Sequence, residues 1–447
     1  MAYSKNQEII ERCREHNFWT WSAQKEVQPI PVQKAQGVFF WDFEGKRYLD
    51  FNSMVMCSNI GHGNSKVIEA MCEQTRKLPF AGPHMATEVR ARLGEKLAEV
   101  LPAGLNRYLF TLGGADANEN AIKLARAVSG KHKILARYRS YHGASHGAVA
   151  VSGDLRRVAW EPNVMGGVVH FPVPYRFRDD LVPNATQVSD EEFAGRHLDY
   201  LENIIRYESA DSIAAIFLET VTGTNGILIP PDGYLEGIRE LCDKYGILMI
   251  VDEVMSGFGR TGSWFAVDHW KVTPDIITMA KGLTSGYAPL GAVAMKEEIA
   301  AHFDHRKFVG GLTYNGHPVS LAAALANIEV IQNDGIIAHV QEMQPVMLAL
   351  FRKLKEKHVS VGDVRGIGLF GAIELIKDKN SQNPLGEYGK SPTILKELQD
   401  LTLSKGLFHY IHDNLILVIP PLIIKQDELE QGISILDEAL KITDAIM

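Results

Sequence analysis

The sequence predicts an α/β fold with one large domain and one smaller α+β domain. Strand-like and helix-like segments alternate through the middle of the chain, which is the pattern of a mostly parallel sheet covered by helices. The two ends of the chain break this alternation, and 447 residues are enough for two hydrophobic cores. We therefore expect a large domain over residues 61–328 and a small domain formed by residues 1–60 and 329–447.

The first 60 residues predict three elements in order. A charged stretch, MAYSKNQEIIERCREH, has the character of a helix and not that of a signal peptide. An aromatic patch of Phe18, Trp19 and Trp21 follows. Two strand-like runs in GVFFWDFEGKRYLDF then flank Glu44 and Gly45, which is typical of a β-hairpin.

The clearest unit of the large domain lies between residues 213 and 251. Ile213–Glu219 is an apolar run that predicts a buried strand, and Tyr234–Tyr245 has the apolar spacing of a helix. Gly246 is placed to end that helix, and Ile247–Val251 predicts the next parallel strand. In the C-terminal part, amphipathic segments precede a last apolar run, Leu415–Ile419.

Composition excludes several classes of protein. A net charge of −8 without a dense stripe of Lys and Arg argues against a nucleic-acid surface. No apolar run approaches the length of a membrane span, so we expect no membrane partner. The four cysteines form no C-x-x-C pair and indicate reduced thiols, hence a cytoplasmic protein.

Ionisable residues follow three of the predicted strands: Glu219, Asp252 and Lys281. Ligands of open parallel sheets lie beyond the carboxyl ends of the strands, so these side chains are expected to meet there. A lysine that forms a Schiff base and an aspartate that binds a pyridine nitrogen are what pyridoxal phosphate requires. A lysine extending to solvent at the sheet edge is the alternative for Lys281 taken alone.

A second feature of the same kind is the glycine-rich start of a helix. Gly114 and Ala115 precede the helical stretch NENAIKLARAV, and backbone N–H groups at such a start bind phosphate. A plain capped loop is the alternative. Tyr141 is placed to stack on a flat ring, although simple core packing is the commoner fate of a tyrosine. His142 and His146 have the i, i+4 spacing of metal ligands but lack a third ligand nearby, so no metal site is predicted.

Residues 257–262 match the dinucleotide fingerprint G-x-G-x-x-G. Asp252 and Glu253 lie at the end of the preceding strand, where two carboxylates would repel a diphosphate. The following residues, SWFAVDHW, lack the spacing of the helix that the fingerprint needs. A nicotinamide or flavin site is therefore the weaker interpretation.

Taken together and in this order, the motifs resemble those of the class III (ω-amino acid) aminotransferases, which are fold-type I pyridoxal 5′-phosphate enzymes. The resemblance runs through nearly the whole chain. Its motifs are GVFFWDFEGKRYLDF, GGADANENAIKLAR, YHG, FLETVTGTNG, IVDEVMSGFGRTG, MAKGL, LTYNGHP and VIPPL. It implies a sheet of the seven-stranded type in the large domain and a homodimer with shared active sites, with a tetramer left open.

The resemblance also implies roles for single residues. Lys281 would hold the cofactor as a Schiff base and act as the catalytic base, and Asp252 would bind the pyridine nitrogen. The remaining implied cofactor contacts are the ring faces (Val254 and Tyr141), the phosphate (Gly114, Ala115 and Thr313 of the neighbouring subunit), the surroundings of the ring hydroxyl (Glu219) and the stacking loop (His142). Ala115 and Met255 depart from the usual Ser and Gln of the family, which implies the loss of one hydroxyl donor to the phosphate and a change in one contact near the ring oxygen.

The residues that would bind the acid group of the substrate differ from those of relatives. Two arginines that relatives use for the acid group of the substrate are replaced here by Ala144 and Tyr410. Arg156 is the candidate replacement, with Arg157 as second choice, although both could simply lie on a surface loop. The aromatic patch is expected to narrow the entrance and favour a short, thin donor.

Across the chain the closest likeness is to taurine aminotransferases. The expected reaction is a ping-pong transfer from taurine, with β-alanine tolerated, to 2-oxoglutarate. A pyruvate-dependent or 4-aminobutyrate-type transaminase is the first alternative. An aminomutase, a decarboxylase and a catalytically inactive binding protein on the same fold are more distant ones.

Overall fold

The computed structural model describes residues 4–161, 163–379 and 382–447. Its strands are β1 (Lys34–Gln36), β2 (Phe39–Trp41), β3 (Arg47–Asp50), β4 (Leu105–Thr111), β5 (Lys133–Arg137), β6 (Val168–Phe171), β7 (Ile213–Glu219), β8 (Leu248–Asp252), β9 (Ile276–Met279), β10 (Gly291–Lys296), β11 (Val361–Ile367), β12 (Phe370–Leu375), β13 (Leu407–Phe408), β14 (Tyr410–His412) and β15 (Leu415–Val418).

The helical elements are α1 (Lys5–His16), α2 (Ser53–Met56), α3 (Ser65–Lys77), α4 (Glu88–Val100), α5 (Gly114–Ser129), α6 (His146–Val151), α7 (Asp190–Tyr207), α8 (Tyr234–Tyr245), α9 (Glu297–Ala301), α10 (Pro318–Asn333), α11 (Ile336–Lys357), α12 (Thr393–Ser404) and α13 (Gln426–Asp444). Of these, α2 is a single turn with left-handed backbone angles. None of the helices in the described ranges combines the length and apolar character needed to cross a membrane.

The largest sheet has seven strands in the order β4-β10-β9-β8-β7-β5-β6. β10 runs antiparallel to both of its neighbours, and the pairs from β9 to β6 are all parallel. The predicted α/β fold with a mostly parallel sheet is therefore confirmed. Since β7, β8 and β9 are adjacent, their carboxyl ends lie side by side.

The central strands form where the sequence is continuously apolar. All seven residues of β7 are buried, as a parallel strand covered on both faces requires. α8 presents Leu235, Ile238 and Leu241 to the core and ends at Gly246, whose φ of 59° is the left-handed conformation that glycine adopts easily. β8 begins one residue later than the sequence predicted and includes Asp252.

The described residues also form two four-stranded sheets. The first has the order β1-β2-β3-β13, and its β2–β3 pair is the predicted antiparallel hairpin. β13 pairs with β3 in parallel, so residues near the two ends of the chain share this sheet. The second sheet, β11-β12-β15-β14, is formed entirely from C-terminal residues.

Candidate active site

Asp252 is the buried centre of the site at the carboxyl end of β8. Its Oδ2 accepts hydrogen bonds from Asn118 Nδ2 and from His142 Nδ1, each at 2.8 Å. Its Oδ1 accepts from the backbone N–H of Val254 at 2.9 Å. The His142 ring meets Phe217 edge-on at 4.6 Å, and these contacts fix the direction of the carboxylate.

Glu219 pairs directly with Asp252 across β7 and β8. Its Oε1 accepts the N–H of Tyr141 at 3.0 Å and its Oε2 accepts the N–H of Gly223 at 2.6 Å. Burial raises the pKa of Glu219, the His142 charge opposes this, and the Asp252 charge adds to it. Both carboxylate oxygens of Glu219 thus accept backbone N–H groups, so Glu219 fixes the loop that carries Tyr141.

Lys281 lies two residues after β9, on the next strand end. It has a φ of 40°, which is unusual for a residue other than glycine and typical of functional sites. Gly282 follows it, and the Gly282 carbonyl accepts a hydrogen bond from Asn327 Nδ2 at 2.8 Å. The structure thus brings the three predicted strand-end residues to one edge of the sheet.

The start of α5 lies against the same group of residues. A β-carbon at Gly114 would be 3.1 Å from both γ-carbons of Val254 and 3.7 Å from the β-carbon of Ala280. The first-turn N–H groups of a helix have no partner within the helix, and no side chain caps this one. The uncapped start of α5, the Val254 side chain and Ala280, the residue before Lys281, are therefore neighbours.

Arg156 lies against the ring of Tyr141, whose backbone N–H is bound by Glu219. Its guanidinium carbon is 3.8 Å from the centre of the Tyr141 ring and 5.8 Å from that of Trp21. Arg156 Nε donates to Asp154 Oδ2 at 2.6 Å and its Nη2 donates to Thr224 Oγ1 at 2.9 Å. Burial opposes the charge, but the hydrogen bond and the charge of Asp154 outweigh it and raise the pKa of Arg156.

The other predicted substrate residues differ in position. Arg157 points to Tyr138 and bonds Glu161, so it lies away from Tyr141. Trp21 meets the edge of the Tyr141 ring at 5.9 Å. Phe18 is 85% exposed, and Trp19 is partly buried with its backbone bonded to Gln24.

Two further predicted cofactor residues are Thr313 and Ala115. Thr313 is exposed in the loop before α10. Ala115 packs closely on Gly143. A β-carbon added at Gly143 would lie 2.5 Å from the β-carbon of Ala115.

Sequence reasoning missed the partners that orient the predicted residues. Asn118 stands one helical turn after Gly114, and that i, i+4 spacing placed it on the same face of α5. Asp154 lies two residues before Arg156, and Asn225 also donates to its Oδ2 at 3.1 Å. No sequence pattern near Arg156 predicts its contact with Thr224, because Thr224 lies on a different loop.

The glycines of the dinucleotide fingerprint serve a structural purpose. Gly262 is followed by a short 3₁₀ helix, Ala266–Trp270, and not by the long helix that would carry a diphosphate. The arginine inside the motif, Arg260, is fully buried and bonds the carbonyls of Leu369 and Pro420. This stretch joins the large sheet to C-terminal segments.

Comparison with known proteins bears on this geometry. Residues 21–440 match the family model described as aminotransferase class-III. The chain is 32% identical over 424 residues to a putrescine–pyruvate aminotransferase from Pseudomonas aeruginosa, covering 93% of this chain and 91% of that protein. It is 33% identical over 401 residues to a taurine–pyruvate aminotransferase from Bilophila wadsworthia, covering 87% of this chain and 86% of that protein.

Among solved structures, one similar chain is a taurine:2-oxoglutarate aminotransferase from Bifidobacterium kashiwanohense, solved in complex with PLP and glutamate. The match has a TM-score of 0.94 at 39% sequence identity and covers 100% of this chain and 99% of that chain.

Proposed function

The chain belongs to the class III aminotransferase family, and we propose that it carries the amino group of taurine to 2-oxoglutarate. It is a transaminase that depends on pyridoxal 5′-phosphate. β-Alanine is a second donor in this proposal, and the two half-reactions alternate in a ping-pong order. We also propose that the enzyme acts in the cytoplasm, since its four cysteines are all free thiols.

The residues at the sheet edge fit this cofactor. The uncapped start of α5 supplies backbone donors for a phosphate, and Gly114 lets the helix approach Val254 closely. The Asp252 carboxylate is held by three donors and suits a pyridinium nitrogen. When bound, the cofactor supplies an electron sink for the bond that is broken at the substrate carbon.

In this proposal the protein's own groups carry the proton and hold the reactants. Lys281 Nζ binds the cofactor at rest and, once released, removes the proton from the substrate carbon that bears the nitrogen. A positioned base of this kind contributes ~10²–10⁴-fold to the rate. Glu219 fixes the Tyr141 loop by accepting the N–H of Tyr141, and His142 and Asn118 fix Asp252.

One observation carries the substrate assignment: the guanidinium of Arg156 stacks on the ring of Tyr141. Asp154 and Thr224 bind its Nε and Nη2, so the group is held in one orientation. A planar, fixed guanidinium suits a sulfonate or a carboxylate. Trp21 lies beside it and narrows the approach, which favours a short donor.

The proposed homodimer is supported by an apolar surface around Thr313. Val309, Leu312 and Tyr314 are exposed on this loop, and Tyr314 meets the exposed Phe80 edge-on at 5.6 Å. Exposed apolar patches of this kind mark association surfaces. A second copy covering the patch would bring its Thr313 toward a neighbouring site.

Steady-state kinetics of Arg156→Ala test the substrate assignment. We expect the KM for taurine to rise by about 10–150-fold, since a hydrogen bond to a charged group contributes roughly 1.5–3 kcal/mol. Affinity for the cofactor should change little. Arg157→Ala is the matched control and should behave like the wild type. Equal rates with taurine and with simple amines that lack an acid group would refute the role of Arg156.

Product analysis separates this reaction from its alternatives. Glutamate formed in equal amount to the aldehyde, with parallel lines in a two-substrate plot, indicates transfer to 2-oxoglutarate. Alanine formed from pyruvate at a higher rate would favour the pyruvate-dependent alternative. Carbon dioxide release, or an amino group that moves within one molecule, would indicate a decarboxylase or an aminomutase.

A further inference from the structure

A strained turn lies a few residues before Asn59, whose side chain is close to Gly282, the residue after Lys281. The residues of α2, Ser53 to Met56, all have positive φ angles between 44° and 63°, and none is a glycine. Left-handed backbone is unfavourable for residues other than glycine, so four such residues in succession persist only where the surroundings enforce them.

Two polar groups enforce this turn. The buried carboxylate of Asp50 accepts the N–H groups of Asn52 and Met54, each at 3.0 Å. Ser53 Oγ donates to the Ile419 carbonyl at 2.6 Å. The same hydroxyl accepts from Arg260 Nη2 at 3.2 Å, so an arginine of the large domain also holds the turn.

Arg260 is bonded entirely to neutral groups. Besides Ser53, its Nη1 donates to the carbonyls of Leu369 at 3.0 Å and Pro420 at 2.6 Å, and its Nη2 donates to Asn59 Oδ1 at 2.9 Å. Within the described ranges no carboxylate forms a salt bridge with it. Burial lowers the pKa of Arg260 to about 9, which still leaves the group charged at neutral pH.

Asn59 connects this arginine to the lysine. Its Nδ2 donates to the carbonyl of Phe258 at 2.9 Å. A β-carbon at Gly282, the residue after Lys281, would lie 2.6 Å from that nitrogen. The Asn59 amide is thus pressed against the peptide that follows the lysine.

The Cys57 thiol, which directly follows the turn, is affected by both cations. Burial raises the pKa of the Cys57 thiol, and the charges of both Lys281 and Arg260 lower it in part. Cys57 therefore lies within electrostatic reach of both cations, although Arg260 and Lys281 share no hydrogen bond in the described structure.

We propose that Arg260 is a positioning residue, which holds the strained turn at residues 53–56 and, through Asn59, the backbone that aims Lys281. The role rests on the proposed function, in which Lys281 binds the cofactor. The planar guanidinium of Arg260 reaches four acceptors on three segments that are distant in sequence. Only an arginine offers donors in that geometry.

Four variants of the cofactor-loaded protein test the proposal: Arg260→Gln, Arg260→Lys, Asn59→Ala and, as control, Arg239→Gln. Arg239 pairs with Asp275, which precedes β9 and so lies at the opposite edge of the sheet. Three properties are measured for each variant. They are the melting temperature, the pH at which the visible absorption of the bound cofactor changes, and kcat and KM separately.

We expect Arg260→Gln to lower kcat by about 100-fold, the cost of a misplacement of about 1 Å, while KM stays within a few-fold. Loss of the nearby positive charge should also raise the pH midpoint of the absorption change by about 1 unit. Arg260→Lys keeps the charge and should recover the midpoint and part of kcat. Asn59→Ala should lower kcat in the same direction, and Arg239→Gln should change only the melting temperature.

Two results would overturn the proposal. In the first, Arg260→Gln lowers the melting temperature but has the same kcat and the same pH midpoint as the control Arg239→Gln. Arg260 would then only stabilise the fold. If Arg260→Gln does not fold, a wild-type kcat in Asn59→Ala overturns it instead. Borohydride labelling of the wild type separates this failure from that of the proposed function, which requires the label on Lys281.

Discussion

At the scale of single residues, the amine of Lys281 is expected to carry the cofactor. Borohydride reduction of the loaded protein should fix the cofactor on the peptide that contains Lys281. Lys281→Ala should still bind the cofactor weakly, because the start of α5 and the Asp252 carboxylate remain, but it should lose turnover. Peptide mapping checks the first result, and equilibrium dialysis with rate measurement checks the second. A label on Lys123 would refute the assignment.

Ala115→Ser adds the hydroxyl that the resemblance to class III aminotransferases leads us to expect at this position. We expect the variant to fold and to bind the cofactor as well as the wild type or better. One hydrogen bond to a charged group is worth roughly 1.5–3 kcal/mol, less the cost of desolvation. Ala115 packs closely on Gly143, so the serine must turn its hydroxyl away from that glycine. Gly143→Ala is the contrasting variant and should disrupt the loop, because its φ of 135° and the 2.5 Å approach leave no room for a side chain. A clear loss of cofactor affinity in Ala115→Ser would show that α5 does not bind the phosphate.

Residues at strand ends were accessible to sequence reasoning, and their partners were not. Asp252 and Glu219 could be placed together because parallel strands end at one edge of a sheet, which follows from strand order alone. The contact between Arg156 and Tyr141 depends on the path of the loop that joins them. No rule of spacing fixes such a path, so the sequence offered Arg156 and Arg157 as alternatives. The structure brings only the first to the tyrosine.

At the scale of elements, Glu253 organises the segment that follows β8. Its two oxygens accept the hydroxyls of Thr220 and Ser256, each at 2.6 Å, and the N–H groups of Ala266 and Val267 at 3.1 and 3.0 Å. The last two begin the 3₁₀ helix Ala266–Trp270. In Glu253→Gln one oxygen becomes an NH₂ group that faces a backbone donor. We expect the free energy of unfolding to fall by about 1–3 kcal/mol, the cost of an unsatisfied buried donor.

The same substitution should change how stability depends on pH. Burial raises the pKa of Glu253 from 4.5 to about 7, so the folded protein holds this proton more tightly than the unfolded chain. The contribution of this proton to stability is therefore fully present below the unfolded value and is lost as pH rises through about 7. Urea unfolding of both proteins over this interval measures the effect. An unchanged pH dependence in Glu253→Gln would show that Glu253 is not its source.

The elements whose bounds the sequence predicted correctly share one property. β7 and α8 agree with the predicted bounds because an apolar run and an amphipathic spacing each leave a single stable solution. The turn at residues 53–56 had no such signal. Ser, Met and Val are not residues that favour left-handed backbone, so its conformation comes from the Asp50 and Arg260 contacts.

At the scale of the whole molecule, the predicted meeting of the two chain ends rests on long-range contacts. The parallel pair of β3 and β13 joins residues about 360 positions apart, and Arg260 and Ser53 add bonds to the carbonyls of residues 369, 419 and 420. Composition suggested that the ends form a separate unit, but the register of that pairing could not be derived. The domain boundaries at residues 60 and 328 stay predictions.

The last prediction concerns the assembly. If Thr313 completes the active site of a second copy, a mixture of Lys281→Ala and Thr313→Ala proteins that is refolded together should regain activity. Random pairing makes half of the dimers hybrids, and each hybrid has one site with both the lysine and the threonine, so about a quarter of wild-type activity is expected. The exposed apolar loop around Thr313 is the surface on which the copies would meet.

Lys281→Ala refolded with a differently tagged Lys281→Ala is the control and should stay inactive. If tag capture shows that hybrids form and yet activity does not exceed the sum of the parents, Thr313 acts within its own subunit. A monomer that is fully active in sedimentation would exclude the shared site altogether.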